Sequence, residues 1–243
     1  MTRHRLFGDF ASRYDLHTPA GHYAHDHAFL IELAQSIRPN ASVLDVGCGT
    51  GVFVDKATSA GLDAQGFDAS PAMVEEAVRR VGQSRAYVAR MEELEEVDRF
   101  DLVCSLSWSL NYLSTDELLA RVIGRIVRAT RPGGMVVLQV AHAPNAMGRV
   151  LIDRESDGES GEVTFVYRFT AVDATTVMAD YVYACEARDE LLVESHTLRA
   201  ANAHAVAKAC EAQGLTQVRV VDSWRCDPLD RSVAPFVMGR RPA

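Results

Sequence analysis

The 243-residue chain has no long apolar run, no cluster of basic residues, no CxxC pair, no internal repeat and no low-complexity segment. Each absence excludes something. Its longest apolar stretches are strand-sized and broken by charges, too short for a bilayer-crossing helix of about 20 residues. With 25 Lys+Arg against 33 Asp+Glu and a formal net charge of −8, it lacks the basic surface that nucleic acid or an anionic membrane requires. Five scattered cysteines form no disulfide framework and read as reduced thiols. Met1-Thr2-Arg3-His4-Arg5-Leu6 runs into Asp9 and Arg13 without an apolar signal core, so a cytoplasmic location is expected. What the chain does have is core, with 48% hydrophobic residues. That suits one large domain, or a core with an inserted part, acting on a small molecule. A homodimer is one assembly that the sequence leaves open.

Hydrophobic periodicity predicts helix over 5–38, stopped by Pro39-Asn40, then a strand at 41–46 that enters a glycine loop. A helix at about 51–60, a strand at 63–67, a helix opened by Ser70-Pro71 and a strand at 84–88 follow. The next strand is 100–105 and the next helix 115–130, broken by Arg131-Pro132-Gly133-Gly134 before a buried strand at 135–140. Strands alternating with helices imply a parallel sheet covered on both faces. After Pro144 the period changes to two, at 163–170, 175–184 and 190–199, which is an antiparallel meander. A helix at 202–213 and strands at 216–222 and 233–239 then resume the first style. The expected fold is therefore α/β: a Rossmann-like, seven-stranded, mostly parallel sheet with an antiparallel β insertion after strand five. Residues 1–144 and 200–243 form its core and 145–199 the inserted subdomain.

The central motif is Val43-Leu44-Asp45-Val46-Gly47-Cys48-Gly49-Thr50-Gly51, at a strand-to-helix turn where missing β-carbons let a nucleotide approach the backbone. Asp68 follows Gly47 by 21 residues, at the end of the next strand, where a carboxylate can accept hydrogen bonds from two ribose hydroxyls. A dinucleotide fingerprint would need a third glycine where this chain has Val52. Asp45, just ahead of the loop, suits a ligand with an ammonium group and is poorly placed for a pyrophosphate.

These residues resemble the class I S-adenosylmethionine-dependent methyltransferases. Val43–Gly51 resembles their first motif and Gly66-Phe67-Asp68-Ala69-Ser70-Pro71-Ala72-Met73 their second. Phe100-Asp101-Leu102-Val103 resembles their fourth strand, and Arg131–Gly134 the turn before the fifth. The resemblance implies S-adenosyl-L-methionine as cofactor. Asp45 and Gly47 would hold its methionine end, Gly49 would lie beneath the adenosine, Asp68 and Ala69 would meet the ribose, and Met73 and Met91 would flank the adenine. Ser105 belongs to the same set. Where the family often has Gly-Asp, this chain has Ala89-Arg90, so Glu92 or a backbone carbonyl must accept from the adenine amine.

The segment after strand four, Ser105-Leu106-Ser107-Trp108-Ser109-Leu110-Asn111-Tyr112-Leu113, has no [DN]-P-P-[YF] motif, which sets base and protein-amide acceptors aside. Arg13-Tyr14-Asp15-Leu16-His17 with Gly21-His22-Tyr23 resembles the lid of the amino-sugar and natural-product N-methyltransferases, as does the antiparallel insertion with Glu194-Ser195-His196. That second resemblance implies N-methylation of a small molecule beneath the lid and the insertion, as in antibiotic biosynthesis. Tyr14 and Tyr23 would close over the methionine end or pack in the core. His142, at the carboxyl end of strand five, is the first candidate base, with Tyr14 and His196 beside it as catalytic candidates. Trp108, Asn111, Tyr112, Glu194 and His196 are the candidate acceptor contacts, although Trp108 could instead pack on the insertion. Glu194 and His196 share one strand face and would both point at the pocket. His22, His25 and His27 do not share a helical face, so no metal is expected. Three readings besides an N-methyltransferase stay open: an O-methyltransferase, a nicotinamide-dinucleotide oxidoreductase, and a protein that binds the cofactor without methylating.

Overall fold

The computed structural model describes residues 4–17, 21, 23–156, 161–222 and 224–243. Two sheets carry the architecture. A seven-stranded sheet runs β10-β11-β5-β4-β1-β2-β3, where β1 is Ser42–Val46, β2 Asp63–Asp68, β3 Ala86–Val88, β4 Phe100–Ser105, β5 Thr130–Gln139, β10 Thr216–Val221 and β11 Phe236–Arg240. All its pairings are parallel except those of β11 with β5 and β10. The expected fold class is borne out. The second sheet, β6-β7-β8-β9, is wholly antiparallel and lies between β5 and the last helix in sequence; its strands are Met147–Ser156, Glu162–Ala171, Val177–Cys185 and Glu190–Leu198.

The parallel strands read as apolar runs because both faces are covered: every residue of β1 and β4 is buried. The helices α3 (Val52–Ser59), α4 (Pro71–Val81), α5 (Asp116–Ala129) and α6 (Ala203–Ala212) supply that cover, together with α2 (Ala24–Ile37). The α5 stripe of Leu119, Val122, Ile123 and Ile126 packs with Val103, Val136 and Leu138 on one face. Leu30 and Ala34 of α2 pack with Phe53, Leu102 and Val137 on the other. Ser70 caps α4 by accepting from the Met73 amide, and Thr115 caps α5 by accepting from Leu118.

Three details depart from the periodicity. Residues 5–38 are not one helix: short 3-10 turns at Arg5–Phe7 and Ala11–Arg13 precede α1 (Tyr14–His17) and α2. The reason is a carboxylate, because Glu194 of β9 accepts from the amides of Arg5 and Leu6 and turns that segment onto the second sheet. Leu6 and Phe10 are buried there among Phe165, Tyr181 and Leu192. Strand β6 was not expected, since almost all of it is exposed on both faces and no alternation marks it. Finally, α5 passes directly into β5 at Thr130, so the expected turn at Arg131–Gly134 lies inside a strand with irregular register against β4. Gly134 is needed there, because a β-carbon would sit 2.8 Å from the Asp101 carbonyl oxygen.

At the amino end of the parallel sheet, Asp101 is buried and accepts from the Ser42 amide and hydroxyl, and from Arg38 and Arg131. Burial would raise its pKa, but these donors outweigh it and hold the carboxyl below the usual aspartate value. Among the described residues, no helix is long and apolar enough to cross a membrane.

Candidate active site

The glycine loop starts where β1 ends. Its first turn is pinned by the amides of Gly47 and Cys48, which both donate to the Phe67 carbonyl at 2.9 Å. Gly47 has φ +82°, and a β-carbon there would come within 2.7 Å of Ser109. Gly49, at φ +55°, has nothing within 4 Å of that position, so its bare face opens onto space. Asp68, at the end of β2, is held from both sides: Gly49 N donates to Oδ2 at 3.0 Å and Ser70 N to Oδ1 at 2.8 Å. Burial raises its pKa, and the amides of Ser70, Gly49 and Ala69 work against that rise. The carboxylate is therefore fixed before any ligand arrives, with lone pairs left over.

Asp45 lies deeper, 3% exposed, and among the described residues no cation pairs with it. Its nearest polar contact is the Cys104 thiol, 3.8 Å from Oδ1. Burial, reinforced by the Asp68 charge, raises its pKa to about 7 even though Cys104 lowers it. Burying an acid without a compensating cation is costly, which is why its proton is held so tightly. The same surroundings push the Cys48 thiol well up, which keeps it protonated and unfit as a nucleophile.

Both aspartates face one cavity of about 1100 Å³. It runs from the loop, past Met73 and Met91, to the phenols of Tyr14, Tyr23 and Tyr112, and reaches Ser195, Thr197 and Arg199 at the end of β9. The N-terminal segment closes one side with Phe7 and Gly8. Ser70 donates to the Phe7 carbonyl, while Asp15 accepts from Thr50 at 2.6 Å and pairs with Arg80. Helix α1 is thus tied to the loop and to α4. Burial, then the neighbouring phenols Tyr23 and Tyr181, raises the pKa of Tyr14 well above that of free tyrosine.

Of the residues singled out in the sequence, Tyr14, Tyr23, Asp45, Gly47, Gly49, Asp68, Ala69, Met73, Met91 and Tyr112 line this cavity. The others do not, and each has a physical reason. Ser105 is fully buried and donates to the Val46 carbonyl, tying β4 to β1. Glu92 is turned to Arg90, at 2.7 Å. His142 accepts from the Ala203 amide through Nδ1 at 3.2 Å, beside the Asn202 cap of α6; burial, then His204, lowers its pKa. A base at the pocket is not its place. Trp108 packs edge-on against Phe169 of β7, at 4.6 Å between ring centroids. Asn111 accepts from Ala141 N and donates to the Arg199 carbonyl, both at 2.8 Å, so it joins β5 to the end of β9. Glu194 and His196 do share a strand face, but the opposite face of β9, with Ser195 and Thr197, lines the cavity. Their own face packs against the N-terminal segment. Of the histidines weighed for a metal, His25 stacks on Trp224 at 4.8 Å and His27 lies beside Phe53 at 5.3 Å; His22 and the side chain of His17 lie outside the described residues.

The sequence did not point to Asp15, His27, Ser107, Ser109, Ser195, Thr197 or Arg199, all of which line the cavity. A signal existed for three of them, since Ser195-x-Thr197-x-Arg199 is a polar face at strand period. For Ser107 there was none: it and Trp108 adopt positive φ (+48° and +64°), a left-handed pair that only the folded turn reveals. Gln139 holds that turn, accepting from Ser107 N at 3.0 Å and donating to Asp26 at 3.1 Å.

Comparison with known proteins bears on this loop and sheet. Residues 43–134 match the family described as "Methyltransferase domain". Over that segment the chain is similar to a methyltransferase domain. The chain is 30% identical over 134 residues to the dTDP-4-amino-2,3,4,6-tetradeoxy-D-glucose N,N-dimethyltransferase of Saccharopolyspora spinosa, covering 54% of each chain. It is 31% identical over 118 residues to the dTDP-3-amino-3,4,6-trideoxy-alpha-D-glucopyranose N,N-dimethyltransferase of Streptomyces venezuelae, covering 48% of this chain and 50% of that one. The chain thus spans about half the length of these curated relatives. Among solved structures, DesVI of Streptomyces venezuelae superposes with a TM-score of 0.79 at 24% identity, over 96% of this chain and 98% of that one. The sugar N-methyltransferase KedS8 from Streptoalloteichus sp ATCC 53650 gives 0.74 at 24% identity, over 91% and 88%. At that identity the likeness is one of fold, and it extends beyond residues 43–134 to nearly all of the chain.

Proposed function

We propose that this protein is an S-adenosylmethionine-dependent methyltransferase acting on a nitrogen of a small molecule, with nucleotide-linked amino sugars as the substrate class. One observation carries the reading. Asp68 is clamped by two backbone amides beside Gly49, whose bare face opens on the cavity, and this is a prepared seat for a ribose. Asp45, buried without a cation, would take the ammonium of the methionine end, and Met73 and Met91 would flank the adenine. The cofactor supplies a methyl carbon on a sulfonium, a leaving group that needs no protonation. What this chain must do is position and exclude water, which is where large effective molarities arise. Tyr14, Tyr23 and the N-terminal segment cover the methionine end, while the hydroxyls of Ser107 and Tyr112 can orient a neutral amine by accepting its hydrogens.

Arg199 supports the nucleotide-linked class. It lines the cavity, and among the described residues it has no carboxylate partner, so its guanidinium is free to fork onto a phosphate. The named activities of the dTDP-amino-sugar relatives point the same way. The test is turnover: the protein, S-adenosylmethionine and a panel of dTDP-amino sugars, read by mass spectrometry for products carrying one or two added methyl groups. Methylation of an aminated member and not of its hydroxyl analogue is expected. Methylation of the hydroxyl analogue alone would overturn the nitrogen assignment.

A further inference from the structure

Behind Tyr112, where the N-terminal segment meets β9, lies a cluster of two histidines and a carboxylate of which only His4 lines the cavity. His4, Glu194 and His196 each bring one ligand-type atom to within 4.8 Å of the others. His4 Nδ1 is 3.4 Å from Glu194 Oε1, and His196 Nε2 is 3.2 Å from Glu194 Oε2. We propose that His4, Glu194 and His196 form a binding site for a divalent transition-metal ion of the zinc class.

Three observations converge on it. The donor set, two imidazoles and one carboxylate, is one that zinc takes, with a fourth position left open. The two imidazole–carboxylate separations, 3.4 and 3.2 Å to different oxygens of Glu194, are close to the about 3.3–3.6 Å between tetrahedral ligand atoms at bonds of about 2.0–2.2 Å, and the whole set would draw in from a spread of up to 4.8 Å. His196 is fully buried, and its Nε2 makes no hydrogen bond although Glu194 Oε2 lies 3.2 Å away. A buried orphan nitrogen is costly, and a cation lying between the two groups would relieve it. The supporting contacts are those that metal ligands need. Tyr112 oxygen lies 2.6 Å from His196 Nδ1 and can accept its hydrogen, which leaves Nε2 to face an ion. The Glu194 oxygens also accept from the amides of Arg5 and Leu6 at 2.9 and 3.0 Å, which fixes their direction.

The site would fasten the N-terminal segment to β9. Of the three residues, His4 alone also lines the cavity. None of this depends on the proposed methyl transfer. The histidines that the sequence offered for a metal were those between 17 and 27; this set is assembled from residues 190 positions apart, which no local spacing reveals.

The test uses the full chain without a purification tag, stripped by a chelator and titrated with Co²⁺ alone. Expected are one equivalent bound, the intense visible bands of four-coordinate cobalt, and their loss on adding Zn²⁺. His4→Ala should weaken binding at least 10-fold, and Tyr112→Phe should weaken it about 10-fold. A pale six-coordinate spectrum, or a His4→Ala protein that binds with wild-type affinity, would overturn the proposal. Zinc-edge absorption fine structure on the wild-type protein gives a readout independent of any variant's folding: two imidazoles and one carboxylate support the site, and any shell without two imidazoles refutes it.

Discussion

Asp45 and Asp101 sit on neighbouring strands of one sheet, both buried, and meet opposite fates. At the amino end Asp101 is surrounded by donors, with Ser42 giving an amide and a hydroxyl and Arg38 and Arg131 giving guanidinium groups. At the carboxyl end Asp45 has a thiol and another carboxylate for neighbours, and burial raises its pKa to about 7. One end of the sheet is completed by the protein itself, while the other is left incomplete for a ligand. The two carboxylates differ in what surrounds them, not in burial.

Substitutions can break this contrast. Asp101→Ala strips the acceptor from Ser42 and both arginines, and should cost about 2–4 kcal/mol of unfolding free energy in urea titration while cofactor affinity stays within about twofold. Asp45→Asn should behave in reverse, with cofactor affinity falling about 100-fold while the ligand-free protein at pH 8 becomes more stable by about 1–2 kcal/mol. The pH dependence follows from the raised value. Between the unfolded pKa near 4 and the folded pKa of about 7, the folded state holds the extra proton, so Asp45's contribution to stability falls as pH rises across that window. Cofactor affinity should rise over the same window as the carboxylate forms, and Asn at position 45 should flatten both profiles. A smaller effect sharpens the account of the cavity's far end: Arg199→Ala should raise KM for a phosphate-bearing substrate about 5–20-fold with kcat little changed. Smallest of all, His142→Ala should leave turnover and cofactor affinity within about twofold and cost about 1 kcal/mol of stability, from the lost acceptor for the Ala203 amide.

The mostly parallel sheet and the switch to an antiparallel insertion were legible because they rest on local periodicity and on motifs contained in single loops. The Asp68 seat was legible for the same reason, since loop and acid are consecutive elements whose strands pair directly. The acceptor side was harder to read. Glu194 and His196 lay on the correct strand, but the choice of face depends on the N-terminal segment, which occupies their side through the amides of Arg5 and Leu6. Asn111 and His142 looked like active-site residues because they follow strands at the carboxyl edge. Each instead satisfies backbone groups of elements that lie far off in the chain, at Arg199 and Ala203. Polar residues at a sheet's functional edge are needed to close loops as well as to do chemistry, and only long-range contacts separate the two uses.

The most direct test of the central claim is calorimetric titration of the wild-type protein and of Asp68→Ala with S-adenosylmethionine and S-adenosylhomocysteine. The account predicts micromolar or tighter binding of both to the wild type, and a loss of about 1.5–3 kcal/mol in the variant, the scale of charge-assisted hydrogen bonds. No binding of either ligand, or equal affinity in a folded Asp68→Ala protein, would contradict it.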